Sequence, residues 1–230
     1  MDLGLYIAAT GMVAEQARQD QLSNDLANAS TPGFKPDETP QHSFGEMLLA
    51  NSQGGTAIGS VNTGVALGST STNLSASPIM QTGQPLDFAI QGSGFFAVQT
   101  AGGIRYTRDG QFSTSAQGTL TDAGGNPVLG QGGAAIKVGA GGNVAAGEIG
   151  VFELTAPAKQ GENLYGGTVA GKGPGTVQQG SLEQSGVQAA KVMVDMITSM
   201  HTFQSGQQAI QAIGQTLQQA STRVGSITGS

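Results

Sequence analysis

The sequence predicts an α+β protein, with helices at both ends of the chain and a mainly antiparallel β domain between them. Three observations carry this reading. Apolar residues recur at spacings of three and four at both ends, they alternate in short runs through the middle, and the middle is dense in glycine. With 230 residues and 37% hydrophobic content, the chain can bury one modest core and carry extended ends. Thirty-eight glycines against 10% charged residues and no tryptophan favour short strands joined by turns.

The first zone is residues 1–35. Met1, Leu5, Ala8, Met12, Glu15, Gln19, Leu22 and Leu26 alternate spacings of four and three, the seam of a helix that packs on another helix. Two polar members, Glu15 and Gln19, weaken that seam, so the helix is expected to need a partner. The last zone, residues 181–230, supplies one. Ala189, Met193, Met196, Met200, Phe203, Gln207, Ile210, Gly214, Leu217 and Val224 trace a second stripe, which Val187, Ala190, Val194 and Ile197 widen on one side. A helical hairpin inside a globular core is the plain alternative. The stripes lie at opposite ends of the chain, however, and both are rich in Gln, Ser and Ala. Such segments are expected to fray alone and to be ordered by neighbouring subunits as a coiled-coil-like layer. The candidate assembly contacts are Leu5, Met12, Leu22, Asn24, Leu26, Asn28, Val194, Ile197, Phe203, Ile210 and Leu217. Asn24 and Asn28 lie four apart on one helix face, where their amides can cross-link packed surfaces without adding charge.

The first helix has a clear stop. Pro32 disfavours helical geometry at Thr31, and Gly33 permits a left-handed turn before Phe34, so the chain turns sharply at Thr31, Pro32, Gly33 and Phe34. Residues 36–82 read as a polar linker or extended arm, with Phe44 and Met47 to Leu49 as a small apolar knot.

Residues 83–180 read as a compact β domain. LDFAI, FFAVQ, IRYT, PVLG and GVFEL are the strand candidates, and Asp109-Gly110, Asp122 to Gly125 and Gly132-Gly133 are expected to supply positive φ at hairpins. Leu86, Phe88 and Ile90 alternate with Asp87 and Ala89, which predicts one buried face, and Tyr106 and Phe112 add aromatic mass. Arg105, Arg108 and Asp109 are expected to be exposed, in a solvated turn or a contact between subunits.

Composition and motifs exclude several function classes. A formal charge of -6 with nine scattered Lys and Arg residues offers no footprint for nucleic acid. No cysteine means no disulfide and no thiolate metal site. The opening MDLGLYIAATGMVAEQ lacks the basic start and apolar run of a cleaved secretory signal, and no segment is long and apolar enough to span a membrane. His42 and His201 have no partner ligands at metal spacing. GGNPVLGQGGAA lacks the ending of a phosphate-binding loop, IQGSGFF does not open a helix, and Asp87, Asp109 and Asp122 sit among turn residues that they cap. No catalytic, cofactor or metal residue is expected, and the chain is expected not to be an enzyme. A surface carbohydrate-binding or adhesin β protein would need an exposed aromatic platform, for which three tyrosines and no tryptophan are poor material.

Three ordered blocks carry a family resemblance. QLSNDLANASTPGFK, from Gln21 to Lys35, resembles the N-terminal signature of the flagellar rod and hook family, with Asp25 where a second asparagine is usual. TGQPLDFAIQGSGFFAVQT with YTRDGQFSTSAQGTLTDAGGNPVLG resembles that family's central β domain, and GSLEQSGV resembles the opening of its C-terminal signature. Gly186 stands where an asparagine is usual, and Phe203-Gln204 replaces the usual aromatic and acidic pair. The resemblance implies a structural subunit of the basal-body rod that polymerises with copies of itself into a hollow helical tube, transmits torque and leaves a channel for later subunits. It implies neighbouring rod and hook proteins, surrounding ring proteins and the flagellar type III export apparatus as partners, with export across the inner membrane and no cleaved signal peptide. The opening LYIAATGM and the moderate linker look most like the distal-rod type, with proximal-rod and hook-type subunits as alternatives.

Overall fold

The computed structural model describes residues 2–43, 64–139, 142–161 and 163–227, so Phe44 and Met47 to Leu49 lie outside the described residues. The class is α+β, as the sequence predicts. Helix α1 spans Asp2–Ala27. Five short strands follow: β1 (Asp37–Glu38), β2 (Gln41–Ser43), β3 (Val65–Leu67), β4 (Ser71–Thr72) and β5 (Ile79–Gln81). Then come β6 (Phe88–Gln91), β7 (Phe95–Thr100), β8 (Gly103–Thr107), β9 (Ser113–Thr114), β10 (Leu120–Thr121) and β11 (Val128–Leu129). Last are β12 (Val151–Lys159), β13 (Tyr165–Lys172), β14 (Thr176–Gln179), β15 (Ser181–Glu183) and helix α2 (Ala189–Ile227). The chain divides into a helical unit, Met1–Leu26 with Asp37–Ser71 and Ala189–Ser230, and a β unit, Ala27–Pro36 with Thr72–Gln188.

Strand β7 organises the β unit. Its alternation sends Phe96 and Val98 into one apolar cluster, with Phe88, Phe112, Leu120 and Ile149, and sends Phe95 and Ala97 into another, with Tyr106, Leu129 and Tyr165. β7 pairs antiparallel with β8 along one edge, from Phe96↔Thr107 to Thr100↔Gly103, and with β11 and β12 along the other. β12 pairs with β13, and Tyr165↔Tyr106 joins β13 back to β8, so β7, β12, β13 and β8 close into a ring of antiparallel strands. The aromatic pairs fit this arrangement, with Phe96 and Phe112 edge-on at 5.3 Å and Phe95 and Tyr165 tilted at 5.2 Å.

Strand β6 departs from the expectation of one buried face. Phe88, Ala89 and Ile90 are all buried, because β6 pairs with β14 while its apolar side chains enter the core. Gly110 also serves a purpose other than the one expected. It does not have positive φ. A Cβ there would lie 1.6 Å from the Phe88 carbonyl oxygen, so glycine is needed for close backbone approach.

In the helical unit, α1 and α2 pack with opposite directions. The Glu15 carboxylate accepts the Ser199 hydroxyl at 2.6 Å, a Cβ on Gly206 would meet Met12 at 3.0 Å, and one on Gly4 would meet Ile213 at 3.6 Å. Residue numbers therefore fall along α2 as they rise along α1. Strands β2 and β3 form an antiparallel pair, Gln41↔Leu67 to Ser43↔Val65. The Gln21 side-chain amide donates to the Asp37 carbonyl, and that of Gln41 donates to the Ala14 carbonyl at 3.5 Å. No described helix is long and apolar enough to cross a membrane.

Candidate assembly site

Helix α1 buries Ala14, Glu15 and Leu22, while Met12, Gln19 and Leu26 are half-buried and Leu5 and Asn24 are exposed. On α2 the packed stripe is Val192, Met196, Ser199, Phe203, Gly206, Ile210, Ile213 and Leu217, of which Val192 and Ser199 are buried. It shares Met196, Phe203, Ile210 and Leu217 with the expected stripe and sits one residue earlier at the positions between. At two of these, Ser199 and Gly206 are small enough to let α1 approach where Met200 and Gln207 would hold it off. Further along, Ile213 packs in place of the expected Gly214.

The displaced residues form a face of their own. Met193, Val194, Ile197 and Met200 are exposed on α2, Val194 at 62% and Ile197 at 55%. Their spacing of three and four places them along one ridge. A second apolar surface lies in a groove between α1 and β3, lined by Tyr6, Ala9, Val13, Val65 and Leu67, with Tyr6 and Val13 largely exposed.

The turn after α1 belongs to the β unit. Gly33 has φ +65°, and a Cβ there would lie 2.3 Å from the Arg108 carbonyl, so the left-handed geometry and the available space both require glycine. Asn28 receives the Thr31 hydroxyl at 3.2 Å on its side chain and the Ser185 hydroxyl at 2.9 Å on its carbonyl. Asn163 donates to the Pro32 carbonyl at 3.0 Å. The Gly33 amide donates to the Glu183 carbonyl and the Gly186 amide to the Phe34 carbonyl, both at 2.8 Å. Phe34 is fully buried, with the Lys159 ammonium 4.2 Å from its ring centre.

Beside the turn lies an ion cluster that residue-by-residue reading misses. Lys35 and Glu183, each 1% exposed, meet at 2.6 Å, and Arg108, 5% exposed, reaches the other Glu183 oxygen at 3.1 Å. The Lys35 ammonium also donates to the Ser75 carbonyl at 2.7 Å and the Ser77 hydroxyl at 3.2 Å, and the Ser77 amide donates to Glu183 at 2.9 Å. Arg108 donates to the Gly92 carbonyl at 2.9 Å and sits 5.4 Å from the Phe95 ring centre. The expectation that Arg108 is exposed is therefore corrected. Its counter-charge, Glu183, lies 75 residues away, beyond the reach of local pattern. Asp109, also expected to be exposed, is half-buried. Burial, then Asp122 and Asp87, push its carboxyl up to about 6 against a backbone hydrogen bond from Gln111. Burial pulls the Lys35 ammonium below its usual value, opposed by the hydrogen bond and charge of Glu183.

Residues 5–35, 89–162 and 178–223 match families described respectively as flagella basal body rod protein, flagellar hook protein FlgE/F/G D1 domain, and flagellar basal body rod FlgEFG protein C-terminal. The flagellar basal-body rod protein FlgF of Caulobacter vibrioides is 31% identical over 249 aligned residues, covering 99% of this chain and 100% of that protein. The flagellar hook-basal body complex protein FlhO of Bacillus subtilis is 30% identical over 97% of this chain and 99% of its own length. The flagellar basal-body rod protein FlgG of Bacillus subtilis is 31% identical over 94% and 96%.

Proposed function

The chain belongs to the flagellar basal-body rod family, and from that premise we propose that it is a structural subunit of the rod that polymerises with copies of itself. The observation that carries the proposal is the ridge Met193, Val194, Ile197 and Met200, an apolar face on α2 opposite the stripe that packs on α1. Contiguous apolar surface of this kind marks an interaction site. Contacts between unlike faces, repeated with a rotation that does not close, build helical filaments. In this reading Leu5, Asn24, Val194 and Ile197 contact neighbouring subunits, whereas Leu22 and the half-buried Met12, Leu26, Phe203, Ile210 and Leu217 support the helix pair that presents them.

The role is mechanical, with no catalytic step. The resulting tube transmits torque and leaves a central channel. Neighbouring rod and hook proteins and surrounding rings are the partners, and the chain reaches its place through the flagellar export apparatus. Relatives of similar identity carry both the FlgF and the FlgG names, so the proposal is made for the rod and not for its distal or proximal part.

Replacing Val194 and Ile197 together by Asp in the full-length protein tests this reading. Both side chains are exposed in the single chain, so the purified variant is expected to keep its stability within about 0.5 kcal/mol. Cells that carry it are expected to lose motility, with rods truncated in electron micrographs of their basal bodies. Complete rods and normal swimming would overturn the proposal.

A further inference from the structure

Lys35, Arg108 and Glu183 bring two cations and one anion into a buried space, which leaves an excess positive charge among the three. Arg108 Nε is buried with no hydrogen-bond partner among the described residues. A cluster built this way holds tightly when closed yet is costly to desolvate. Its surroundings show what it holds. The segment around Pro32 to Lys35 is attached through the Gly33–Glu183 and Gly186–Phe34 backbone bonds, the Asn163 and Lys159 donors and the Lys35 ammonium. Neither apolar cluster of the β unit includes Phe34 or Leu182. The turn is thus fastened beside those clusters by these polar bonds together with the buried Phe34 side chain.

We propose that the Lys35–Glu183–Arg108 cluster is a latch that clamps together the two segments of the β unit that adjoin the long helices in sequence, Ala27–Pro36 and Gln184–Gln188. Closed, it fixes the exit from α1 and the entry to α2 against one another through three direct links, Gly33 to Glu183, Gly186 to Phe34 and Ser185 to Asn28. Open, it frees both segments in a single event while the β7–β8 ladder and its core stay folded. Regions joined by few apolar contacts open locally at lower free energy than the core they flank. The device depends on residues 148 positions apart, so it cannot close on a chain that ends before Glu183.

Native-state hydrogen exchange on the full chain tests the latch, using Lys35→Met, which removes the ammonium but leaves the Arg108–Glu183 pair, and Glu183→Gln, which strands both cations. In Lys35→Met the Gly33 and Gly186 amides are expected to exchange at least tenfold faster, and by the same factor, while amides of the β7–β8 ladder change by less than twofold. Glu183→Gln is expected to give a larger acceleration at the same two amides. Equal acceleration at the ladder, or failure of Lys35→Met to fold, would make the cluster part of the global core and end the proposal. Unchanged exchange at Gly33 and Gly186 would show that the cluster does not hold the turn.

Discussion

Asp109 shows how far a single position can depart from its local pattern. In sequence it precedes a glycine and reads as a solvated turn residue. In the fold it caps that turn by accepting the Gln111 amide at 3.0 Å, as an aspartate there should, but it does so half-buried and with two other carboxylates acting on it. A carboxyl whose folded value is raised from 3.8 to about 6 favours the protonated state in the fold. Its contribution to stability is therefore complete below pH 3.8 and is lost as pH rises through 6. Asparagine keeps the acceptor oxygen and has no charge to desolvate. Asp109→Asn is expected to melt above the parent at pH 7 to 8. The gap should close as pH falls to about 4. Melting temperatures recorded across that range check it, and a gap independent of pH would refute the burial argument. Gly33 was legible because Pro32 and Gly33 state the turn themselves. Arg108 was not, because nothing within a dozen residues of it reveals Glu183.

At the scale of elements, hydrophobic period located both helices and each of the five strand candidates, since period depends on neighbours in the chain. It placed the α2 seam one residue late at alternate positions, taking Met200 over Ser199 by apolarity and then keeping the spacing through Gln207 and Gly214 although Ile213 was the more apolar choice. At Ser199 and Gly206 helix contact instead rewarded small residues. Ser199 is the clearest case. It is buried, and its hydroxyl donates to the Glu15 carboxylate at 2.6 Å. Glu15, a weak member of a coiled-coil seam by composition, becomes in the pair a specific polar contact. Ser199→Ala removes the donor and leaves a buried oxygen without it, at an expected cost of about 1–3 kcal/mol to the helix pair. Helical circular dichroism on heating should show the loss in the helical unit. A variant with unchanged melting would mean that Glu15 finds equivalent partners without Ser199.

On the scale of the whole molecule, the zones read along the sequence are contiguous, whereas the units of the fold are not. The helical unit takes three stretches of chain and the β unit two, so that Ala27–Pro36, the tail of the N-terminal signature, folds with residues from Thr72 onward. Composition could not reveal this, because membership is decided by pairs such as Lys35 with Glu183 and Glu15 with Ser199, both separated by well over a hundred residues. A consequence is that a single break between Ser43 and Gly64 cuts the chain without removing any of the strand pairs, hydrogen bonds or ion pairs named above. The N-terminal fragment would keep α1, β2 and the turn, and the remainder would keep α2, β3 and the β core, each half of a pair. A site-specific protease sequence inserted between Gln53 and Gly54 directs that cut. Loss of the covalent link costs only the advantage of tethering, which multiplies effective concentration without adding contacts. The two fragments are therefore expected to elute as one species in native buffer and to separate in denaturant. Lys35→Met in the cleaved protein should raise the fragment dissociation rate, since it removes a bond that crosses the cut. Fragments that part at once in native buffer, leaving a β unit that melts as the intact chain does, would show instead that the N-terminal signature is an appendage, and that the fold is carried by residues 72–188 alone.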